Sequence, residues 1–122
     1  MGAKEEALAG EKLPSAREIV MLPVGFEDPE TGAVAQEAEV RAVTGGDELY
    51  IGMSAEYNRY PNDLTYKTVL LSRVVTRIGE RTSIGISDIR RLHAKDLRAL
   101  EYAVYAMTYG ADAVPEPDGP SG

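Results

Sequence analysis

The sequence predicts an α+β fold: an N-terminal β-hairpin followed by a small bundle of three to four helices, with a mobile tail at each end. Three observations carry this. Residues 33–43 alternate, setting an apolar face against a largely charged one, the period-two pattern of a half-buried strand. Beyond Thr44 the apolar residues recur every three to four positions, the period of helices with one buried face. Residues 1–14 and 111–122 are poor in large apolar groups and cannot offset the entropy of ordering them, which leaves residues 15–110 as one domain. A chain of 122 residues buries roughly two thirds of its unfolded surface around a single core.

In "REIVMLPVGF", residues 17–26, Ile19, Met21 and Pro23 alternate with Val20, Leu22 and Val24. This suits a strand covered on both faces, or one bent near Pro23, whose nitrogen cannot donate to a ladder. "EDPETG" is a turn-rich loop with Pro29 and Gly32. In "AVAQEAEVRAV" Val34, Gln36, Ala38, Val40 and Ala42 fall on one side, and Ala35, Glu37, Glu39, Arg41 and Val43 on the other. The two strands form the hairpin.

Thr44 followed by Asp47 has the spacing of a capping box, with Asp replacing the usual Glu or Gln. Leu49, Met53 and Tyr57 then predict a helix over about 46–57, weakened at Gly52 by about 1 kcal/mol relative to Ala. Pro61 biases Tyr60 away from helix, and Asn62 or Asp63 caps the next one. That helix is expected over 63–78, with Leu64, Leu71, Val74, Val75 and Ile78 facing the core and Gly79 ending it. Ser87 and Asp88 can cap a short helix, "DIRRLH". The last helix runs from Ala94 or Lys95 to Tyr109, with Leu97, Leu100, Val104 and Met107 on one face and Tyr102, Tyr105 and Tyr109 on an adjacent one.

Composition narrows the chemistry. Thirteen Lys and Arg against twenty Asp and Glu give a net charge of −7, which opposes non-specific attraction to nucleic acid or an anionic membrane. With no cysteine there is no disulfide, Cys-ligated zinc, iron–sulfur cluster or cysteine nucleophile. Glu5 and Glu6 stand where a secretory leader is apolar, and no apolar run approaches a membrane span, so a soluble, intracellular protein is expected. P-loop, HExxH and EF-hand patterns are absent, and the glycines of "TGAVA" and "TGG" lack the rest of a phosphate cradle. No metal, cofactor or catalytic residue is assigned. His93, the single histidine, reads as a surface or capping residue.

The candidate contact residues are basic and aromatic. Arg73 and Arg77, four apart, share a face of the 63–78 helix that Lys67 approaches; Arg90, Arg91 and Arg98 form a second cluster. Glu80, Asp88, Asp96 and Glu101, or another protein, are the expected partners of these cations. Tyr102, Tyr105 and Tyr109 carry large apolar faces with polar tips, which suit a core edge and a protein interface equally.

The order of "LPVGFEDPETGAVAQEAEVRAVTGGDE", "LLSRVVTRIG", an Ile-Ser-led short helix and "KDLRALEYAVYAMTYG" resembles the small tail assembly or baseplate assembly proteins of contractile-tailed bacteriophages and phage-tail-like contractile injection systems. The similarity spans about residues 22–110 and rests on order and spacing: a hairpin turn at Gly32, a helix start at Thr44 to Glu48, a helix ending at Gly79, and another ending at Gly110. Many members of that family carry a cysteine in the middle helix and a later Cys-bearing ribbon; here Val74 and a Pro/Gly-rich end stand instead, so no zinc role carries over.

The resemblance implies a non-enzymatic protein. It would bind tail-tube, hub or baseplate subunits in the bacterial cytoplasm during assembly, either released afterwards or kept in the virion or injection-system particle. Arg73, Arg77, Arg90, Arg91, Arg98, Tyr102, Tyr105 and Tyr109 are the expected partner-binding residues, and a homo-oligomer is compatible with the same faces. Two other classes stay open: a small nucleic-acid-binding regulator using the 88–109 helix pair in the manner of a helix-turn-helix, and an enzyme whose site the sequence does not reveal.

Overall fold

The computed structural model describes residues 11–111. The chain runs β1 (Glu18–Glu27), β2 (Val34–Val40), α1 (Gly45–Met53), α2 (Ala55–Arg59), α3 (Asp63–Val74), β3 (Val75–Ile78), α4 (Ile86–Arg91) and α5 (Ala94–Tyr109). This is the expected α+β arrangement, a hairpin followed by helices, with one strand added. The expected mobile tails fall almost wholly outside the described residues. Within them, the amide of Lys12 donates to the carbonyl of Met107 at 2.8 Å, which holds the chain before β1 against the end of α5.

The three strands form an antiparallel sheet in the order β1-β2-β3. One face of β1 is buried, through Val20, Leu22 and Phe26, while Ile19, Met21 and Val24 are exposed, so the strand is not covered on both sides. It is bent instead. The pairing shifts between Met21↔Glu37 and Phe26↔Ala35, so four residues of β1 stand opposite Gln36 alone. The bulged stretch contains Pro23 and Gly25, whose φ of 116° suits glycine. In β2, Ala38, Val40 and the following Ala42 point inward as the alternation requires, but Val34 and Gln36 lie out towards the hairpin end and are exposed.

Helix α1 opens on the predicted capping box: Thr44 Oγ1 accepts from Asp47 N at 3.3 Å, and the Asp47 carboxylate accepts from Thr44 N at 2.9 Å. Ser54 then ends α1 in extended backbone and caps α2 through Tyr57 N, so the single helix expected over 46–57 is two. The inward apolar residue of α1 is Ile51; Leu49 (64% exposed) and Met53 (72%), whose spacing predicted the helix, face outward.

The helix expected over 63–78 is corrected more deeply. Asn62 caps α3 through Thr65 N, but the helix stops at Val74, and Val75–Ile78 pairs with β2. The run Val74-Val75-Thr76-Arg77-Ile78 is mostly β-branched and disfavours helix, and the open edge of β2 supplies the ladder it can complete. Leu71, Val74, Val75 and Ile78 remain buried, because an inward stripe and an inward strand face select the same residues here; Leu64 (69% exposed) does not.

Helix α4 begins at Ile86 rather than at Asp88. Asp88 is the third residue of its first turn and accepts from Gly85 N at 2.9 Å. His93 caps α5, its Nδ1 accepting from Lys95 N at 3.0 Å. The core lies between the inner sheet face (Val20, Leu22, Phe26, Ala38, Val40, Val75, Ile78) and the helices behind it (Leu71, Val74, Ile89, Leu100, Val104, Met107). Burial of each Val, Leu, Ile, Phe or Met side chain among these stabilises the fold by about 1.5–3 kcal/mol.

Candidate functional site

The eight expected contact residues fall into two groups. Arg73 and Arg77 do not share a helix face, because the backbone changes from helix to strand between them. Arg73, at the end of α3, lies over the ring of Tyr50 at 4.1 Å and its Nε reaches Asp47 Oδ1 at 3.2 Å. Arg77, on β3, contacts Glu37 at 3.2 Å, the Gly79 carbonyl at 2.9 Å, and Glu39 at 3.9 Å. Both are internal ion-pair residues.

Asp47 is the centre of this network. It is 1% exposed, and Arg41 grips it with two nitrogens at 2.8 Å each, while the amide and hydroxyl of Thr44 donate to it at 2.9 and 3.1 Å. The Arg41 hydrogen bonds, then the Thr44 amide, hold the Asp47 carboxyl well below its ordinary value of 3.8 despite its burial. Arg41 also donates to the carbonyls of Ala42 and Arg73, so the network pins the end of the hairpin, the start of α1 and the end of α3 together. The Thr44–Asp47 spacing marks the cap, but nothing in the sequence marks Arg41 and Arg73 as its further partners, since they meet Asp47 only after folding.

A second buried carboxylate, Asp96 in the first turn of α5, accepts from Val24 N at 2.8 Å and Gly25 N at 2.9 Å and so fastens the β1 bulge to the helix. The third tie is Arg81, placed between Asp28 and Glu30 of the hairpin loop and Asp88 of α4. These three carboxylate–cation or carboxylate–amide clusters are fastenings between elements. Among the described residues no three His, Asp or Glu side chains gather as a metal would require, and His93 serves as a cap.

The remaining candidates lie at the surface. Arg90 and Arg91 project from α4, and Arg98 pairs with Glu101 at 2.8 Å. Tyr102, Tyr105 and Tyr109 are half-exposed along the outer side of α5, with the rings of Tyr105 and Tyr109 4.8 Å apart. Tyr105 and Tyr109 form one wall of a largely apolar groove of about 220 Å³ between α3 and α5. Tyr66 and Leu70 of α3 line the other wall, and Val43, Glu48, Asp63, Lys67 and Glu101 stand among the remaining lining residues. Burial pushes the Tyr66 phenol up, and the negative charge of Glu48 pushes it the same way. The sequence reading missed Tyr66, Leu70 and Glu48. The spacing of Asp63, Tyr66, Lys67 and Leu70 was a usable signal, since i, i+3, i+4 and i+7 share a helix face.

Exposed large apolar side chains collect on three surfaces. On the sheet they are Ile19, Met21 and Val24 of β1, with Val34 at the hairpin end of β2; on α1 to α3 they are Leu49, Tyr50, Met53, Tyr60 and Leu64; on α5 they are the three tyrosines. No helix of the described residues is long and apolar enough to cross a membrane. No family model matches the chain, and no curated protein or solved structure matches it either.

Proposed function

We propose that the protein is a non-enzymatic assembly or structural component of a phage-type contractile tail, binding tail-tube, hub or baseplate subunits through its hairpin and helical faces. The observation that supports a binding role is the exposure of large Leu, Ile, Met, Val and Tyr side chains on the sheet, on α1 to α3 and on α5, while the buried carboxylates tie elements of the fold together. Exposed apolar area in contiguous patches is the usual mark of a protein contact. Support for a tail comes from the order of the hairpin, the Thr44 helix start and the Tyr-bearing final helix, although the helix expected to end at Gly79 ends at Val74 and gives way to β3. Assembly would take place in the bacterial cytoplasm, with retention in the particle as the structural variant of the same role.

Docking would rest on Tyr102, Tyr105 and Tyr109, with Arg90, Arg91 and Arg98 selecting register through charge. Arg73 and Arg77 would act indirectly, by holding Tyr50 and the sheet in place. The test is affinity purification of the tagged full chain from cells making the tail-like particle, with mass spectrometry of the soluble pool and of finished particles. Tail subunits with the soluble chain alone identify a transient assembly factor, and stoichiometric presence in particles identifies a structural component. Recovery with neither refutes the proposal.

A further inference from the structure

We infer that the groove between α3 and α5 is a docking site for one amphipathic helix of a partner protein, with an apolar stripe and basic flanks. The inference rests on the binding role proposed above and names the chemistry of its partner. Each wall is a helix showing a repeating face: Asp63, Tyr66, Lys67 and Leu70 on α3, and Glu101, Val104, Tyr105, Thr108 and Tyr109 on α5. Two helices lined this way leave the trough that a third helix fills by ridge-into-groove packing. The stretch from Glu101 to Tyr109 rises about 12 Å, so the guest is in contact over roughly two turns, with apolar anchors at i, i+3 or i+4, and i+7.

Charge selects the guest. Among the lining residues Glu48, Asp63 and Glu101 are acidic and Lys67 alone is basic. Lys67 is 3.4 Å from Asp63, and Arg98 just outside pairs with Glu101, so among the described residues Glu48 is the lining carboxylate without an ion pair and acids outnumber bases along the rim. The chain's own ends are poor occupants by the same criterion: residues 1–10 carry Lys4 against Glu5 and Glu6, and residues 112–122 carry Asp112, Glu116 and Asp118 with no base. A basic helix is drawn to this rim, whereas an acidic one pays for burying like charges against it.

The test uses the full chain and two fluorescent 18-residue helical peptides with the same leucine stripe, one flanked by lysines and one by glutamates, followed by fluorescence anisotropy. The lysine peptide is expected to bind at least tenfold tighter in low salt, with the difference shrinking as salt rises. Tyr105→Ala should weaken it at least fivefold, and Glu48→Lys with Glu101→Lys should reverse the preference; circular dichroism checks that each variant is folded. Equal binding of both peptides, or binding indifferent to these variants, overturns the inference. So does tighter binding after removal of residues 112–122, which would make the chain's own end the occupant, or self-association lost in Tyr105→Ala, which would make it a second copy. If the lysine peptide fails while the chain still co-purifies with tail subunits, the groove assignment falls and the tail reading stands. Peptide binding without any tail subunit leaves the groove and removes the tail.

Discussion

Replacing Asp47 with alanine removes five contacts at once: two from Arg41, one from Arg73, and two from Thr44. Stripping one member from a buried ion pair costs about 3–5 kcal/mol, because the other is left charged and unpaired. Asp47 is fully buried, but the Arg41 side chain is 18% exposed and that of Arg73 36%, so both cations can recover some water. The lower end applies, about 3 kcal/mol, including about 1 kcal/mol for the lost helix cap. For a domain of this size that lowers Tm by about 12–24 °C. The carboxylate's pKa is depressed in the folded state, so its contribution is complete above the ordinary value of 3.8 and is lost as pH falls through the folded value. Asp47→Asn keeps the shape without the charge. Its stability, measured by urea unfolding, should lie below the wild type at pH 7, with the gap narrowing steadily from about pH 4 to pH 2. An alanine variant that melts within about 3 °C of the wild type, or a wild-type-to-Asn gap unchanged at pH 2.5, refutes the reasoning.

Other consequences follow from single contacts. Gly79 has φ of 59°, and a methyl there would lie 2.7 Å from the Cβ of Ala35, so Gly79→Ala should cost at least about 2 kcal/mol in urea unfolding. Ala35→Gly in the same chain should restore part of that loss. Asp96→Ala leaves the amides of Val24 and Gly25 without their acceptor; a loss of about 2 kcal/mol is expected, together with faster hydrogen exchange at those two amides. Leu100, fully buried, should cost about 2–5 kcal/mol on truncation to Ala, whereas Tyr102→Ala on the outer side of the same helix should stay within about 0.5 kcal/mol. A large loss at Tyr102 would show that its ring supports the fold rather than awaiting a partner.

How far the sequence disclosed these features depends on how local their causes are. The Thr44–Asp47 cap, the His93 cap and the alternation of Ala38, Val40 and Ala42 rest on neighbours in the chain, and all three were legible. The stretch from Val74 to Ile78 was not. It satisfies a helical stripe and a strand face alike, and the deciding factor, the open edge of β2, lies some 35 residues away. Leu64 misled for the opposite reason, since it was expected on the core-facing stripe and faces solvent, as do Leu49 and Met53, whose spacing marked a helix without showing which side of it is buried. Among the candidate contacts, the Tyr102–Tyr105–Tyr109 series was readable from one helix, but the groove it borders depends on Tyr66 and Leu70 being brought opposite by the fold. The roles of Arg73 and Arg77 could not be assigned without Asp47 and Glu37, carried on other elements.

The bulge in β1 bears on how the chain behaves at high concentration. The strand lies at one end of the sheet, and its outward Ile19 and Met21 would suit pairing with a foreign strand, the first step of fibrous aggregation. Over Pro23, Val24 and Gly25, however, no amide is free to accept such a visitor. Pro23 has none, and the other two are already bonded to Asp96. The carboxylate that fastens hairpin to helix therefore also interrupts the template, and a chain that loses Asp96 would lose that protection along with its stability.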